Sequence, residues 1–194
     1  MANKTCRPCS NEEFELILMT LKNGYKGEDN VVHRPNPQIA FAIWIEGVLG
    51  LRVSDVCRLT LSHFIKKNER DYYIRIKEKK TGKIKELYCP TSIYEQITNY
   101  CLDNNINRKT PIIKVGERAI QKQLKNVSDY LGLEDIGTHS SRKRFATNIY
   151  QQSDFDLLLL QSILLHSSPA TTKRYVGLNT TRQKEILQAN VVVF

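Results

Sequence analysis

Residues 38 to 55, with the sequence QIAFAIWIEGVLGLRVSD, do most to decide the fold. Residues 38 to 49 are apolar nearly all round, a pattern typical of a helix that lies in the core. Gly50 allows a turn, and Val53 to Leu59 predicts a short helix with polar residues on one side. We therefore expect a buried helix, a turn and a short amphipathic helix in immediate succession.

The segments on both sides of this stretch predict more helices and one β-hairpin. Ser10 and Glu13 form the capping box of a first amphipathic helix, which ends in the polar stretch before residue 38. Two segments alternate in polarity around a Thr-Gly turn signal, as the strands of a hairpin do: Tyr72 to Lys77 and Ile84 to Cys89. Further helices are predicted over residues 92–103, 117–131, 140–151, 156–165, 170–176 and 180–189. The predicted fold class is α+β, mainly helical, with a small antiparallel β-sheet or hairpin near residues 63 to 89.

The composition indicates one soluble domain with a basic surface. The chain has 194 residues, and 29 Lys and Arg against 20 Asp and Glu leave a formal charge of +9. Such a surface attracts polyanions, so nucleic acid is the first partner to consider, with a merely basic soluble protein as the alternative. Residues 63 to 85 hold nine of the basic residues and three acids. The charge of this basic hairpin has two interpretations: a charged face exposed to solvent, or a β-ribbon that binds in a DNA groove.

Export, membrane insertion and metal binding find no support in the sequence. The opening residues are polar, and the longest apolar run, residues 39 to 45, is too short to cross a bilayer. Five cysteines make an odd number, so a disulfide framework is not expected. We therefore expect the protein to lie in a reducing cytoplasm. Cys6 and Cys9 form a C-x-x-C, but no second pair follows at zinc-ligand spacing. We expect neither a metal nor a cofactor.

Four short segments carry the residues that could do chemistry. They are GLRVSD (50–55), KKTGK (79–83), THSSR (138–142) and LLHSSPATTKRY (164–175). In order, their Arg, Lys, His-x-x-Arg, His and Tyr resemble the signature of the tyrosine recombinase, or phage integrase, family. The tyrosine lies nine residues beyond the second histidine, which is the lambda-type spacing. The resemblance runs from about Asn11 to the C-terminal helix. It implies a DNA-cleaving catalytic domain whose catalytic residues are Arg52, Lys80, His139, Arg142, His166 and Tyr175.

The residue types suit attack on a phosphodiester independently of the family. Guanidinium forks such as those of Arg52 and Arg142 can hold the nonbridging oxygens, on which negative charge grows during the reaction. His139 lies three residues before Arg142, so both side chains can project toward one phosphate from the first turn of a helix. His139 can donate to a phosphate oxygen or accept the proton of the tyrosine hydroxyl, and the sequence leaves both roles open.

The remaining roles follow from the resemblance. Lys80 is expected to protonate the leaving 5′-oxygen, with Lys79 and Lys83 as competitors, and His166 to bind the phosphate. Tyr175 follows Pro169 on a separate short segment, and a phosphotyrosine bond would allow resealing without ATP or a metal. Asp55 lies three residues after Arg52 and could hold its guanidinium in place. The expected DNA-binding residues are Lys77, Lys79, Lys83, Lys143, Arg144, Lys173 and Arg174.

The chain also departs from the family pattern. Asp55, Ser141, Lys143 and Leu165 stand where the family commonly has Glu, Leu, His and Gly. Only some ten residues precede the first helix, where the family usually carries a separate helical DNA-binding domain, so the sequence is expected to be either a fragment or a naturally short protein. The tail 180–194 is expected either to dock on a neighbouring protomer in a tetramer on DNA or to pack on its own domain. A type IB topoisomerase, a non-cleaving DNA-binding regulator of the same fold and a structural nucleoid protein are the alternative interpretations.

Overall fold

The structure of the chain is a computed structural model that describes residues 6–27, 30–68, 71–77, 82, 84–164 and 169–176, without the side chains of 85 and 174–176. It divides into two compact units, Met1–Phe145 and Ala146–Phe194. The elements, in chain order, are α1 (Asn11–Asn23), β1 (Tyr25–Lys26), β2 (Val32–His33), α2 (Pro37–Leu49), α3 (Val53–Val56), a short 3-10 helix (Leu61–His63), β3 (Phe64–Lys66), β4 (Tyr72–Lys77), β5 (Ile84–Cys89), α4 (Thr91–Asp103), α5 (Glu117–Tyr130), α6 (Ser140–Gln152), α7 (Leu157–Ile163) and α8 (Pro169–Val176).

Helix α2 lies in the core of the first unit, as its apolar sequence predicts. The Asn36 side chain accepts a hydrogen bond from the Ile39 N–H, and Pro37 occupies the first helical position, where its missing N–H costs nothing. Ile39, Ile43 and Ile45 are almost fully buried. Helices α1, α3 and α5 all contact α2. The burial of each isoleucine stabilises the fold by about 1.5–3 kcal/mol.

The capping box predicted at Ser10 and Glu13 is present at the start of α1. The Ser10 hydroxyl accepts from the Glu13 N–H, and the Glu13 carboxylate accepts from the Ser10 N–H. Arg7 extends this arrangement because its guanidinium binds both carboxylate oxygens of Glu13, at 2.6 and 2.7 Å. The chain before α1 is thereby joined to its first turn.

The basic hairpin supplies β4 and β5 of a three-stranded antiparallel sheet in the order β3-β4-β5. The last described pair of the β4–β5 ladder is Lys77 with Ile84, and Ile74 and Ile76 turn inward from β4 into the core. Gly82 has a φ of +69°, which fits the predicted Thr-Gly turn signal. The sheet predicted near residues 63 to 89 is therefore confirmed. The two-residue strands β1 and β2 were not predicted, because they are too short to show an alternating pattern.

The α+β fold class predicted from the sequence is confirmed, and most helix bounds agree within about two residues. The short helix after Gly50 is the exception, since it ends at Val56 and not at Leu59. After Cys57 the N–H groups of Arg58 and Leu59 bind the carbonyls of Asp55 and Val56 three residues earlier, both at 3.1 Å, so the α-helical pattern of bonds four residues apart stops. The Leu59 carbonyl then accepts a hydrogen bond from the Ile112 N–H at 2.8 Å. The helix predicted over 180–189 and the tail 191–194 lie outside the described residues.

The described residues of the second unit form the later part of α6 together with α7 and α8. The Asp156 side chain caps α7 by accepting from the N–H groups of Leu158 and Leu159, and Pro169 is the first residue of α8. Pro169 therefore begins the separate segment predicted to carry the tyrosine. No helix in the described ranges is long and apolar enough to cross a membrane.

All five cysteines are free thiols. Cys9, Cys89 and Cys101 are buried, and burial raises the pKa of each thiol, to about 11 for Cys9 and Cys101 and about 12 for Cys89. Such thiols stay protonated at neutral pH and are poor nucleophiles. Across the part of the chain that the structure describes, no group of three or more His, Cys, Asp or Glu residues could hold a metal ion.

Candidate active site

A buried hydrogen bond joins two of the segments singled out by sequence. His139 directly precedes α6, and Arg142 lies in the first turn of that helix with only 3% of its surface exposed. The Nη1 atom of Arg142 donates to the backbone carbonyl of Gly50. Gly50 ends α2 two residues before Arg52, so the segment with the first arginine meets the helix with the second.

The backbone of Gly50 makes this approach possible. Gly50 has a φ of +60°, a left-handed conformation that other residues adopt only under strain. A Cβ atom placed there would lie 2.5 Å from the ring of Phe145, one turn of α6 beyond Arg142. A side chain at residue 50 would push α6 away and separate the two arginine segments.

The electrostatics of His139 favour a neutral imidazole. The residue as a whole is exposed to solvent. Partial desolvation lowers its pKa below the usual 6.5, and the charges of Arg142, Lys143 and Arg52 lower it further, with a smaller opposing effect from Glu117. At neutral pH the ring therefore keeps one nitrogen as a proton acceptor.

Glu46 is a buried acid near the site that the sequence interpretation overlooked. It lies on α2 with 2% of its surface exposed, and its carboxylate accepts a hydrogen bond from the Val53 N–H at the start of α3. Burial raises its pKa well above the usual value, and the nearby charge of Arg142 partly offsets that effect. The signal was present in the sequence, since Glu46 is the one charged residue between 38 and 49.

Asp55 forms an ion pair with Arg58, a residue that was not predicted to take part in the site. The Asp55 carboxylate oxygen Oδ1 lies 2.6 Å from Nη2 of Arg58, and the Asp55 N–H binds the carbonyl of Arg52. The same Arg58 nitrogen donates to the Lys77 carbonyl at 3.1 Å. The predicted support of the Arg52 guanidinium by Asp55 stays a prediction. The spacing of three residues between Asp55 and Arg58 could have indicated their pairing.

Two residues expected to bind DNA make contacts within the protein. The Lys143 ammonium donates to the Cys6 carbonyl. Arg144 donates to the Asn11 side chain at 2.8 Å and lies over the Phe14 ring at 4.1 Å. Desolvation at this position lowers the pKa of Arg144. These contacts attach α6 to the N-terminal part of the first unit, and phosphate contacts by either residue stay a prediction.

The structure describes some of the other predicted site residues only in part. Lys77 is exposed at the end of β4, and Lys173 is exposed on α8. The backbone of Tyr175 lies in α8, while the side chains of Arg174 and Tyr175 fall outside the described atoms. Four further predicted residues lie outside the described ranges: Lys79, Lys80, Lys83 and His166.

Comparison with known proteins agrees with the motifs. Residues 38–182 match the model of the phage integrase family. The "Probable integrase/recombinase YoeC" of Bacillus subtilis (strain 168) is 32% identical over 142 residues, which cover 68% of this chain and 74% of that protein. The XerH site-specific recombinase bound to difH substrate has a TM-score of 0.66 at 22% identity, over 96% of this chain and 55% of XerH. A lambda integrase dimer bound to a COC′ core site has a TM-score of 0.65 at 17% identity, over 89% of this chain and 60% of that one.

Proposed function

Since the chain belongs to the phage integrase family, we propose that it cuts and rejoins DNA strands at specific sites through a covalent bond between Tyr175 and a 3′-phosphate. The whole chain, residues 1–194, is the catalytic domain of this activity. It spans little more than half of the XerH and lambda integrase chains to which it is similar. Integration, excision and inversion of DNA are all compatible with this chemistry.

The contact between Arg142 and Gly50 carries the proposal. It supports a site in which guanidinium groups from two distant segments converge on one phosphate. Arg52 and Arg142 would bind the nonbridging oxygens and stabilise the negative charge that grows on them in the transition state. Removal of one such donor from a comparable site typically slows a reaction by about 10²–10³-fold.

The reaction has a simple balance of bonds and protons. The Tyr175 hydroxyl oxygen forms a bond to phosphorus while the bond from phosphorus to the 5′-oxygen breaks, and Lys80 gives a proton to that leaving oxygen. The lowered pKa of His139 supports a role as acceptor of the tyrosine proton, and His166 would bind the phosphate. Reversal of these steps with a new 5′-hydroxyl reseals the strand, so neither ATP nor a metal is required.

Double-stranded DNA is the proposed partner, held by phosphate contacts from the basic hairpin and from α8. Such contacts make affinity fall steeply with salt. We expect a monomer in isolation and four protomers on two duplexes during strand exchange, with the tail 180–194 exchanged between neighbours. The reaction would take place in the cytoplasm.

A trapping assay with nicked duplexes tests the proposal. Cleavage next to a nick releases a short fragment, so a covalent protein–DNA adduct accumulates and can be seen on a denaturing gel. A library of nicked duplexes that covers the organism's own genome removes the need to know the site. We expect an adduct with the wild type, none with Tyr175→Phe, and an undiminished one with Tyr130→Phe, which replaces an exposed tyrosine on α5.

The alternatives predict other outcomes. DNA binding without an adduct on any duplex would overturn the proposal and favour a non-cleaving regulator. Relaxation of supercoiled plasmid by the monomer, without exchange between two duplexes, would favour activity of the type IB topoisomerase kind.

A further inference from the structure

Arg58 joins two elements that the sequence places far apart. It lies two residues after α3, and its Nη2 atom contacts the Asp55 carboxylate at 2.6 Å and the Lys77 carbonyl at 3.1 Å. Its Nε atom donates to the Ser54 carbonyl at 3.3 Å. The Asp55 side chain is 6% exposed and that of Arg58 is 41% exposed, so the ion pair lies at the edge of the core. One guanidinium group therefore connects α3 to the sheet.

The sheet end of this connection is the base of the hairpin tip. Lys77 is the last residue of β4, and its pair with Ile84 is the last described pair of the ladder. Lys79 and Lys80 follow within three residues. A hydrogen bond to the Lys77 carbonyl thus acts on the point from which the tip leaves the sheet.

The helix end of the connection leads to Arg52. The Arg52 carbonyl accepts from the N–H groups of Asp55 and Val56, at 2.8 and 2.9 Å. Asp55 is therefore bonded through its backbone to Arg52 and through its side chain to Arg58. This series of bonds runs from the residue proposed to bind the phosphate to the base of the hairpin proposed to carry the general acid.

We infer that Arg58 is a positioning residue, which holds the base of the β4–β5 hairpin against the Arg52 turn and so places the hairpin-tip lysine at the leaving 5′-oxygen. The inference rests on the proposed function. A general acid must come within hydrogen-bond reach of its oxygen while the arginines hold the same phosphate. Loss of Arg58 removes the Asp55 ion pair and the Lys77 hydrogen bond together, so the lysine would be displaced from its proton-transfer geometry.

The chemistry of the leaving group separates this role from others. A duplex with sulfur in place of the bridging 5′-oxygen releases a thiolate, which needs no proton from a general acid. A defect in placing the general acid should therefore disappear on the sulfur substrate. A defect in phosphate binding, or a general loss of folding, should remain on both substrates.

The experiment measures single-turnover cleavage of oxygen and sulfur versions of one nicked duplex at saturating protein. For Arg58→Ala, we expect cleavage of the oxygen substrate to slow by at least about tenfold, approaching the 10²–10⁴-fold typical of lost general acid catalysis, and cleavage of the sulfur substrate to stay within about threefold of wild type. Lys80→Ala should show the same rescue, and Arg52→Ala should be slow on both. Arg108→Ala, which removes an exposed arginine from the same unit, is the matched control.

Other outcomes would overturn the inference. Equal slowing of Arg58→Ala on both substrates would assign Arg58 to phosphate binding or to folding, and wild-type rates on both would show that the connection has no effect. If Arg58→Ala fails to fold, Arg58→Lys is tested in its place. Lysine retains the positive charge but lacks the planar guanidinium that binds Asp55 and Lys77 together, so the same rescue on the sulfur substrate is expected. Absence of wild-type cleavage on both substrates would instead refute the proposed function.

Discussion

The guanidinium of Arg142 donates a hydrogen bond to the carbonyl of Gly50, which lies 92 residues earlier in the chain. This contact brings the end of the core helix α2 to the first turn of α6. It depends on a glycine at residue 50, because the left-handed backbone and the nearby Phe145 ring leave no room for a side chain. Substitutions around this contact are therefore the most direct tests of the site.

Gly50→Ala should destabilise the protein more than an alanine at another left-handed glycine. Gly132 also has a positive φ, of +65°, but a Cβ atom placed there would have no heavy atom of the described residues within 4 Å, its own chain neighbours aside. Gly132→Ala should cost about 1 kcal/mol of unfolding free energy from backbone strain alone. Gly50→Ala should cost a further 1 to 3 kcal/mol, roughly, because its methyl group overlaps the Phe145 ring. Urea unfolding of both variants measures the difference, and equal losses would contradict the close packing of α6 at Gly50.

Glu46→Gln should change how stability depends on pH. Burial raises the pKa of the folded-state carboxyl above its usual 4.5. A group whose pKa is raised in the folded state contributes its full stabilisation at pH values below its unfolded-state pKa. That contribution is lost as the pH rises through its folded-state pKa. Glutamine stays uncharged and keeps an acceptor for the Val53 N–H. The free energy of unfolding of Glu46→Gln minus that of the wild type should therefore increase as the pH rises above 4.5.

Urea unfolding of Glu46→Gln and wild type across this pH range tests that expectation. Glu95→Gln removes an exposed acid from α4 and serves as the matched control for the change in charge. A constant difference between Glu46→Gln and wild type at all pH values would show that Arg142 compensates the buried carboxylate completely.

The pH dependence of cleavage should report on His139. Its pKa is lowered below 6.5 by desolvation and by three nearby cations, so the neutral ring persists as the pH falls past 6.5. If the ring accepts the tyrosine proton, the cleavage rate should fall only at pH values below 6.5. His139→Gln should slow cleavage by about 10²–10⁴-fold and remove this fall. His33→Gln is the control, and it should show the same fall in rate as the wild type. A cleavage rate that rises on acidification would instead favour a protonated His139 that donates to the phosphate.

Lys77→Ala should weaken DNA binding through loss of a phosphate contact. The side chain is exposed at the end of β4, next to the proposed tip. Each lost phosphate contact lowers the slope of log affinity against log salt by about 0.9. Lys125→Ala is a matched control, because Lys125 is equally charged but pairs with Asp129 on α5 at 2.6 Å. Affinity titrations at several salt concentrations measure the slopes, and identical slopes for the two variants would remove Lys77 from the interface.

The sequence alone determined most of the elements and the family to which the chain belongs. Apolar periodicity, the Ser10 capping box and the alternating strands around Gly82 each depend on neighbours a few residues away, so they can be recognised without the fold. The family motifs likewise lie in short segments, and they predicted a catalytic set of arginines, histidines and a tyrosine. Strands β1 and β2 were missed because two residues show no periodicity.

Only the tertiary structure decided how those segments are connected. No local pattern reports that Arg142 binds the Gly50 carbonyl or that Arg58 reaches the Lys77 carbonyl. The lone charge of Glu46 in an apolar helix and the spacing of Asp55 and Arg58 were local signals, but the burial of Glu46 depends on the packed core. These contacts join residues up to 92 positions apart, and they form only when the packing of α2, α3, α6 and the sheet brings their backbones together. Sequence patterns specify which groups are available, and the packed core sets the distances and burial that give those groups their pKa values and partners.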